Sequence, residues 1–284
     1  MSSTASEEYQ TITYEIAAPA VARIMLDRPE VANAQDKRLL YELNSAFDRA
    51  VADDEVKVII LGANGKHFSS GHDLRDSSDF DEFDTVGPVG GFTKPGDEGM
   101  MAREEEIYLG FCNRWRVLPK PTIAQVHGKV IAGGLMLMWP CDLVVASEDA
   151  QFSDPVVAFG VNGIEYFAHA FELGPRRAKE LLFTGEAMGA AEAHAIGMVN
   201  RVVPREDLEA ETLALAQRIA SRPSMGLKLA KMSVNQSVDA MGFPVAIQSA
   251  FGLQHVGHAH NQWVHGMPVD PSGAEVIRND AKSG

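Results

Sequence analysis

Three observations predict an α/β fold. Short apolar runs of strand length close in glycine turns, and stretches with helical periodicity follow them. The order strand–turn–helix repeats along the chain, which is the pattern of a sheet with helices packed on its faces. The hydrophobic share, 45% of 284 residues, suffices for one sizeable core and a smaller appendage.

Residues 21–26 form the first strand, ended by the turn Asp27-Arg28-Pro29. Leu39, Leu40, Leu43, Phe47 and Ala50 then recur at helical spacing. A strand over 56–61 leads into the turn Phe68-Ser69-Ser70-Gly71-His72-Asp73-Leu74. From 75 to 99 glycine and proline mix with an acidic run (Asp79, Asp81, Glu82, Asp84), leaving little to bury. This stretch reads as a mobile loop or lid, or as a solvated insertion without a role. Residues 100–118 are helical up to Pro119. A strand at 123–126, the turn from His127-Gly128 to Gly133-Gly134 and a helix to 139 repeat the unit; strands at 142–147 and 151–152 follow. Beyond Val203-Pro204 the pattern is helical throughout, over 207–221, 224–238 and 243–260. The chain therefore divides into an α/β core, 1–204, and a C-terminal helical region, 205–284, with a soft boundary between 204 and 222.

A formal net charge of −14 argues against nucleic acid or an anionic membrane surface as partner. The two cysteines, Cys112 and Cys141, sit in apolar surroundings, which points to a reducing compartment and no disulfide framework. Residues 1–8 are small, polar and acidic, unlike a signal or transit peptide. The longest apolar stretch, 130–145, is broken by Pro140 and Asp142, so no membrane span is expected. A cytoplasmic protein is the expectation.

Several familiar motifs are excluded. The Gly65-Lys66 pair lacks the spacing and the hydroxyl residue of a phosphate-binding loop. Ser69 and Ser70 lack the bracketing glycines of a nucleophile elbow, and Gly128, Gly133 and Gly134 do not form a dinucleotide fingerprint. His255, His258, His260 and His265 cluster, but His258 and His260 point to different helix faces and no carboxylate follows at helical spacing. A solvated face or a subunit contact explains them, and no metal site is assigned.

The two glycine turns carry the chemistry. A strand ending in glycine leaves backbone N–H groups unpaired, and two such groups converging make an oxyanion hole. Together the turns resemble those of the enoyl-CoA hydratase/isomerase (crotonase) superfamily. The resemblance begins at Asp27-Arg28-Pro29 with Ala32-Asn33-Ala34 and includes Lys66-His67-Phe68-Ser69-Ser70-Gly71-His72-Asp73-Leu74. It continues through Lys120-Pro121-Thr122-Ile123-Ala124-Gln125-Val126-His127-Gly128, Ala132-Gly133-Gly134 and Ala150-Gln151-Phe152-Ser153-Asp154-Pro155, and ends in the segment 191–204. The ordered set spans about residues 20–235.

The resemblance implies a spiral of repeated strand–strand–helix units with a helical oligomerisation region, and a homotrimer or a hexamer of paired trimers. It implies an acyl-CoA thioester as substrate, its carbonyl oxygen held by the N–H groups of His72 and Gly133, with no cofactor beyond the substrate's own coenzyme A. It places Ser70, Gly71 and Leu74 at the adenine pocket and makes Arg28 and Arg75 candidates to meet the coenzyme's phosphates. Hydratases of this family hold a water with two glutamates. The matching positions here are Met136 and Val156, neither of which carries a proton, so standard hydration is doubtful. Glu165 and His169 lie four apart and would share one face of a helix. The expectation is that Glu165 or Asp154 supplies a displaced acid–base group. The alternative is a non-catalytic acyl-CoA-binding or assembly member of the same fold.

Overall fold

A computed structural model describes residues 9–283; the acidic segment 1–8 lies outside the described residues. Nine strands form two sheets: β1 (Ile12–Ala18), β2 (Val21–Leu26), β3 (Val58–Ala63), β4 (Thr122–Val126), β5 (Lys129–Ile131), β6 (Leu143–Ser147), β7 (Gln151–Ser153), β8 (Met188–Gly189) and β9 (Arg201–Val203). The larger sheet runs β1-β2-β3-β4-β6-β9 and the smaller β5-β7-β8. Only β1 runs antiparallel within the larger sheet; the pairs from β2 to β9 are parallel.

Parallel strands covered on both faces read as continuous apolar runs, because alternate residues serve opposite cores. In β3, Ile59 and Leu61 enter the main core, while Val58 and Ile60 enter a second cluster with Val21, Ile123 and Val145. The first face is covered by helices including α1 (Lys37–Ala52), whose apolar row Leu39, Leu40, Leu43, Phe47 and Ala50 is fully buried. Asp36 caps α1 by accepting the Leu39 N–H at 2.8 Å. The strand expected at 56–61 starts at Val58, because the Val56 and Lys57 N–H groups bond to Asp53 and Ala20 in a turn. It extends to Ala63 because β2 pairs with it as far as Leu26.

The helix expected from 100 begins earlier. It comprises α2 (Gly96–Glu104), a π-helical turn (Glu105–Gly110) and α3 (Phe111–Arg116). Gly110 permits the wide turn, since a Cβ there would lie 2.6 Å from the Glu105 carbonyl oxygen. The turn faces Glu106 inward, where its carboxylate accepts the N–H groups of Val86 and Gly87 and so ties the 75–95 segment to the body. Phe80 stacks on Phe92 within that segment.

The remaining helices are α4 (Gly133–Met138), α5 (His169–Leu173), α6 (Pro175–Thr184), α7 (Ala190–Ala195), α8 (Leu208–Ala220), α9 (Ser224–Ala240), α10 (Phe243–His265) and α11 (Gly273–Ser283). Leu208, Ala216 and Ala220 of α8 close the sheet's second face, so apolar packing on the sheet continues past residue 204. Among the described residues no helix is long and apolar enough to cross a membrane.

Candidate active site

The two glycine turns lie side by side. Ser69 bridges to Val130, and the Ile131 N–H donates back to the Ser69 carbonyl at 3.0 Å. Gly71 adopts φ +90°, and a Cβ there would sit 3.2 Å from the Gly133 nitrogen and 2.9 Å from the Ile131 oxygen. Only glycine permits both that conformation and that approach. The Gly71 carbonyl accepts from Gln35 and the Asp73 N–H donates to Gln35, while the Ala132 N–H donates to Ser153. Among the described residues, no hydrogen bond uses the N–H of His72 or that of Gly133, the first residue of α4.

The His72 imidazole lies across this pair. A Cβ on Gly133 would meet its Cδ2 at 2.7 Å and its Nε2 at 2.8 Å. The ring stacks on Tyr108 of the π-helical turn, centroids 4.0 Å apart and planes 16° apart. Its Nε2 faces the buried Glu165 carboxylate at 3.6 Å. The other Glu165 oxygen accepts from the Gln254 side chain of α10 at 2.9 Å.

The expected Glu165–His169 pairing is not formed. Residues 161–168 make no helix, and α5 begins only at His169. His169 turns instead to Asp154, Nε2 to Oδ2 2.8 Å, and both side chains are fully buried. Asp154 also accepts the N–H groups of Ile164 at 3.1 Å and Val156 at 3.3 Å. Those bonds occupy its oxygens inside the protein, so Asp154 fixes the backbone that aims Glu165. Met136 is buried in α4, and Val156 opens a 3-10 turn (Val156–Phe159).

The proposed coenzyme contacts divide. Arg28 does not face open surface: its guanidinium donates to the Ala34 carbonyl and pairs with Asp73 at 3.0 Å and Asp36 at 3.2 Å. Two carboxylates already pair with its guanidinium. Leu74 is 86% exposed and Arg75 is exposed beside it, at the rim of the Gly71 turn. The Ser70 N–H donates to Ala32, leaving Ser70 half-buried in the wall of that turn.

Sequence reasoning missed a further carboxylate, the largely buried Glu104. Glu104 of α2 lies 3.3 Å from His255 and 3.9 Å from His258 of α10. Burial and then the neighbouring Glu165 charge push its carboxyl well above the usual range. Burial and then His258 pull His255 down to about 4. The signal was present as the row Phe251, Gln254, His255 and His258, which marks one buried helix face. His260 and His265 are exposed, and no described group of three or more His, Cys, Asp or Glu side chains could hold a metal ion.

A wound α/β core with two paired glycine turns is the crotonase fold, and comparison with known proteins agrees. The family model for enoyl-CoA hydratase/isomerase matches residues 17–86 and 93–267. The chain is 48% identical over 262 residues to the putative enoyl-CoA hydratase EchA13 of Mycobacterium tuberculosis (strain ATCC 25618 / H37Rv), covering 89% of this chain and 82% of that protein. It superposes on the crystal structure of a probable enoyl-CoA hydratase from Mycobacterium smegmatis with a TM-score of 0.84 and 50% identity, over 91% of this chain and 98% of that one. A monofunctional enoyl-CoA isomerase from the same species gives a TM-score of 0.64 at 28% identity, over 81% and 94%. This chain belongs to the enoyl-CoA hydratase/isomerase family.

Proposed function

We propose that the protein transfers protons on unsaturated acyl-CoA thioesters through an enolate held by the His72 and Gly133 N–H groups. The observation that carries this reading is the buried Glu165 carboxylate facing the His72 imidazole, whose ring packs against Gly133 beside those two free donors. In the proposed reaction Glu165 removes a proton from the carbon next to the thioester carbonyl or from its vinylogous position. Charge moves to the carbonyl oxygen, where pre-aligned donors stabilise it by about 3 kcal/mol each. The resulting acid returns the proton to the other carbon, which shifts the double bond with no net gain or loss of atoms. One carboxylate suffices for this, whereas adding water calls for a second group in place of Met136 or Val156. The thioester supplies its own coenzyme A, with Arg75 and Leu74 at the rim as its nearest surface, and no other cofactor enters the proposal.

The trimeric or hexameric assembly belongs to the same proposal. Val245, Leu253, Val256 and Trp263 of α10 follow helical spacing and are exposed in the single chain, which supports self-association through that face. A reducing cytoplasm suits the two free thiols of Cys112 and Cys141.

Met136 and Val156 favour a second reading, an acyl-CoA binder without chemistry. One experiment separates the two. Saturated and unsaturated acyl-CoAs are incubated with the protein in heavy water and followed by mass spectrometry. Deuterium entry at exchangeable acyl carbons, reduced ~100- to 10,000-fold in Glu165→Gln with binding retained, is the expected result. Tight binding without exchange across the panel selects the binder.

A further inference from the structure

Buried polar side chains extend beyond Glu165. From Glu165 a series of buried polar groups continues along α2 and α10: Gln254, then Glu104 with His255 and His258. Side-chain exposure is 15% at Glu104 and 8% at each histidine. Many of their atoms have no hydrogen-bond partner among the described residues: Glu165 Oε2, Gln254 Oε1, Glu104 Oε2, both His255 nitrogens and His258 Nε2. Tyr108, four residues after Glu104 on the same helix, stacks on His72 and so joins this cluster to the two free N–H groups.

Buried polar atoms are normally satisfied, and a run of unsatisfied ones beside a reaction site marks where a ligand's polar group belongs. An apolar acyl tail laid against them would strip their water and return nothing. We propose that the acyl group handled here carries an uncharged oxygen function, a hydroxyl or a keto group, that hydrogen-bonds to Glu104 and His255. This rests on the acyl-CoA reading above and specifies the substrate class of that same site.

The charge balance selects an uncharged group. Among the described residues no lysine or arginine forms an ion pair with the cluster; the ion pairs there join Glu104 to the two histidines and Glu165 to His72. Arg103, next to Glu104, donates instead to the Phe92 carbonyl. Burial favours the neutral forms of both Glu104 and His255, which then offer a donor and an acceptor to one oxygen. An acyl carboxylate would meet Glu165 with no directly paired cation, since Arg103 acts on Glu104 only as the smallest influence, after burial and Glu165.

The test uses pairs of CoA thioesters of equal length, ending in a methyl, a hydroxyl or a carboxylate. Binding of the saturated forms by calorimetry and turnover of the unsaturated forms give two independent readouts. The hydroxyl-ended thioester should be favoured at least ~10-fold over the methyl-ended one, since a site with unpaired polar groups rejects the analogue that cannot pair them. Glu104→Gln keeps a donor and an acceptor and should keep the preference. Glu104→Leu and His255→Phe should each abolish it while improving affinity for the methyl-ended thioester. Equal or better binding of the methyl- or carboxylate-ended thioester by the wild-type protein overturns the inference, as does a preference unchanged in both Glu104→Leu and His255→Phe. If methyl-ended thioesters bind and exchange deuterium without discrimination, only this inference fails. If no acyl-CoA binds, the proposed function fails with it.

Discussion

Replacing Gly71 by alanine tests the reading of the two turns most directly. The added methyl would occupy a point 3.2 Å from the Gly133 nitrogen and 2.9 Å from the Ile131 carbonyl oxygen. Both are backbone atoms, so neither can swing aside as a side-chain end would. The backbone at φ +90° adds strain of about 1–2 kcal/mol for any residue with a Cβ. At roughly 2–4 °C per kcal/mol for a chain of this size, Tm should fall by about 2–8 °C. The separation of the two N–H groups must widen to admit the methyl, and losing one such donor costs about 100- to 1,000-fold in turnover. Gly128→Ala is the matched control. Its φ is +56° and its Cβ would meet the Lys66 carbonyl oxygen at 2.4 Å, so it is strained comparably in the neighbouring turn but away from the Gly133 nitrogen. Deuterium exchange on acyl-CoA, measured well below each variant's Tm, should collapse in Gly71→Ala and persist in Gly128→Ala. A folded Gly71→Ala protein that exchanges within about threefold of wild type would refute the oxyanion role of these turns.

Three further outcomes follow from the packing. Asp154→Asn turns one of the two oxygens that serve Val156, Ile164 and His169 into an N–H donor in a fully buried site, and thermal melts should show a loss of about 1–3 kcal/mol, a larger effect on stability than on turnover. Burial holds the Glu172 carboxyl up at about 7 against the opposing pull of Arg116, so the folded protein binds more protons there than the unfolded chain. Stability from this group is therefore highest below its ordinary carboxylate range and declines as pH rises to about 7. Glu172→Gln should match wild type near the acid end and exceed it by ~1–3 kcal/mol above neutrality in denaturant titrations, and a pH-independent difference would contradict this. Serine at both Val256 and Trp263, exposed by 64% and 90%, should shift the mass measured by light scattering toward the monomer, while an unchanged mass would place self-association elsewhere.

The strands were legible because parallel strands buried on both faces are unbroken apolar runs bounded by turn residues. β2, β4 and β6 are located by sequence pattern almost to the residue. β1 escaped because it is an edge strand with one neighbour, and Glu15 and Ile16 lie exposed on it. The α8 row escaped for another reason. Leu208, Thr212, Ala216 and Ala220 are small or ambiguous residues, and only contact with the sheet shows that they line a buried face. Helical periodicity located the three C-terminal helices but could not show that α8 seals the sheet's second face while Phe243, Ile247 and Phe251 of α10 enter the main core.

The pairing of the two glycine turns was legible in sequence, and the surroundings of the candidate acid were not. Paired glycine turns are a local signal, since each turn's geometry follows from its own residues. An acid's direction is not local. Glu165 could be recognised as a candidate, but pairing it with His169 assumed a helix that the backbone does not form: Gly163 adopts φ +150°, where a Cβ would meet Phe167 at 2.7 Å. That kink, with Ile164 bonded to Asp154, turns Glu165 toward His72 and leaves His169 to Asp154. The partner that fixes Glu165, Gln254, lies 89 residues further on in α10. In hydratases the family resemblance places glutamates at the positions of Met136, three residues after Gly133, and Val156, directly after Pro155. Here the candidate acid, Glu165, lies in the 161–168 loop and is bonded by a helix beyond the glycine turns. The side chains that would do the chemistry therefore depend on how α10 docks. Gln254 of α10 supplies the clamp on which the proposed reaction turns.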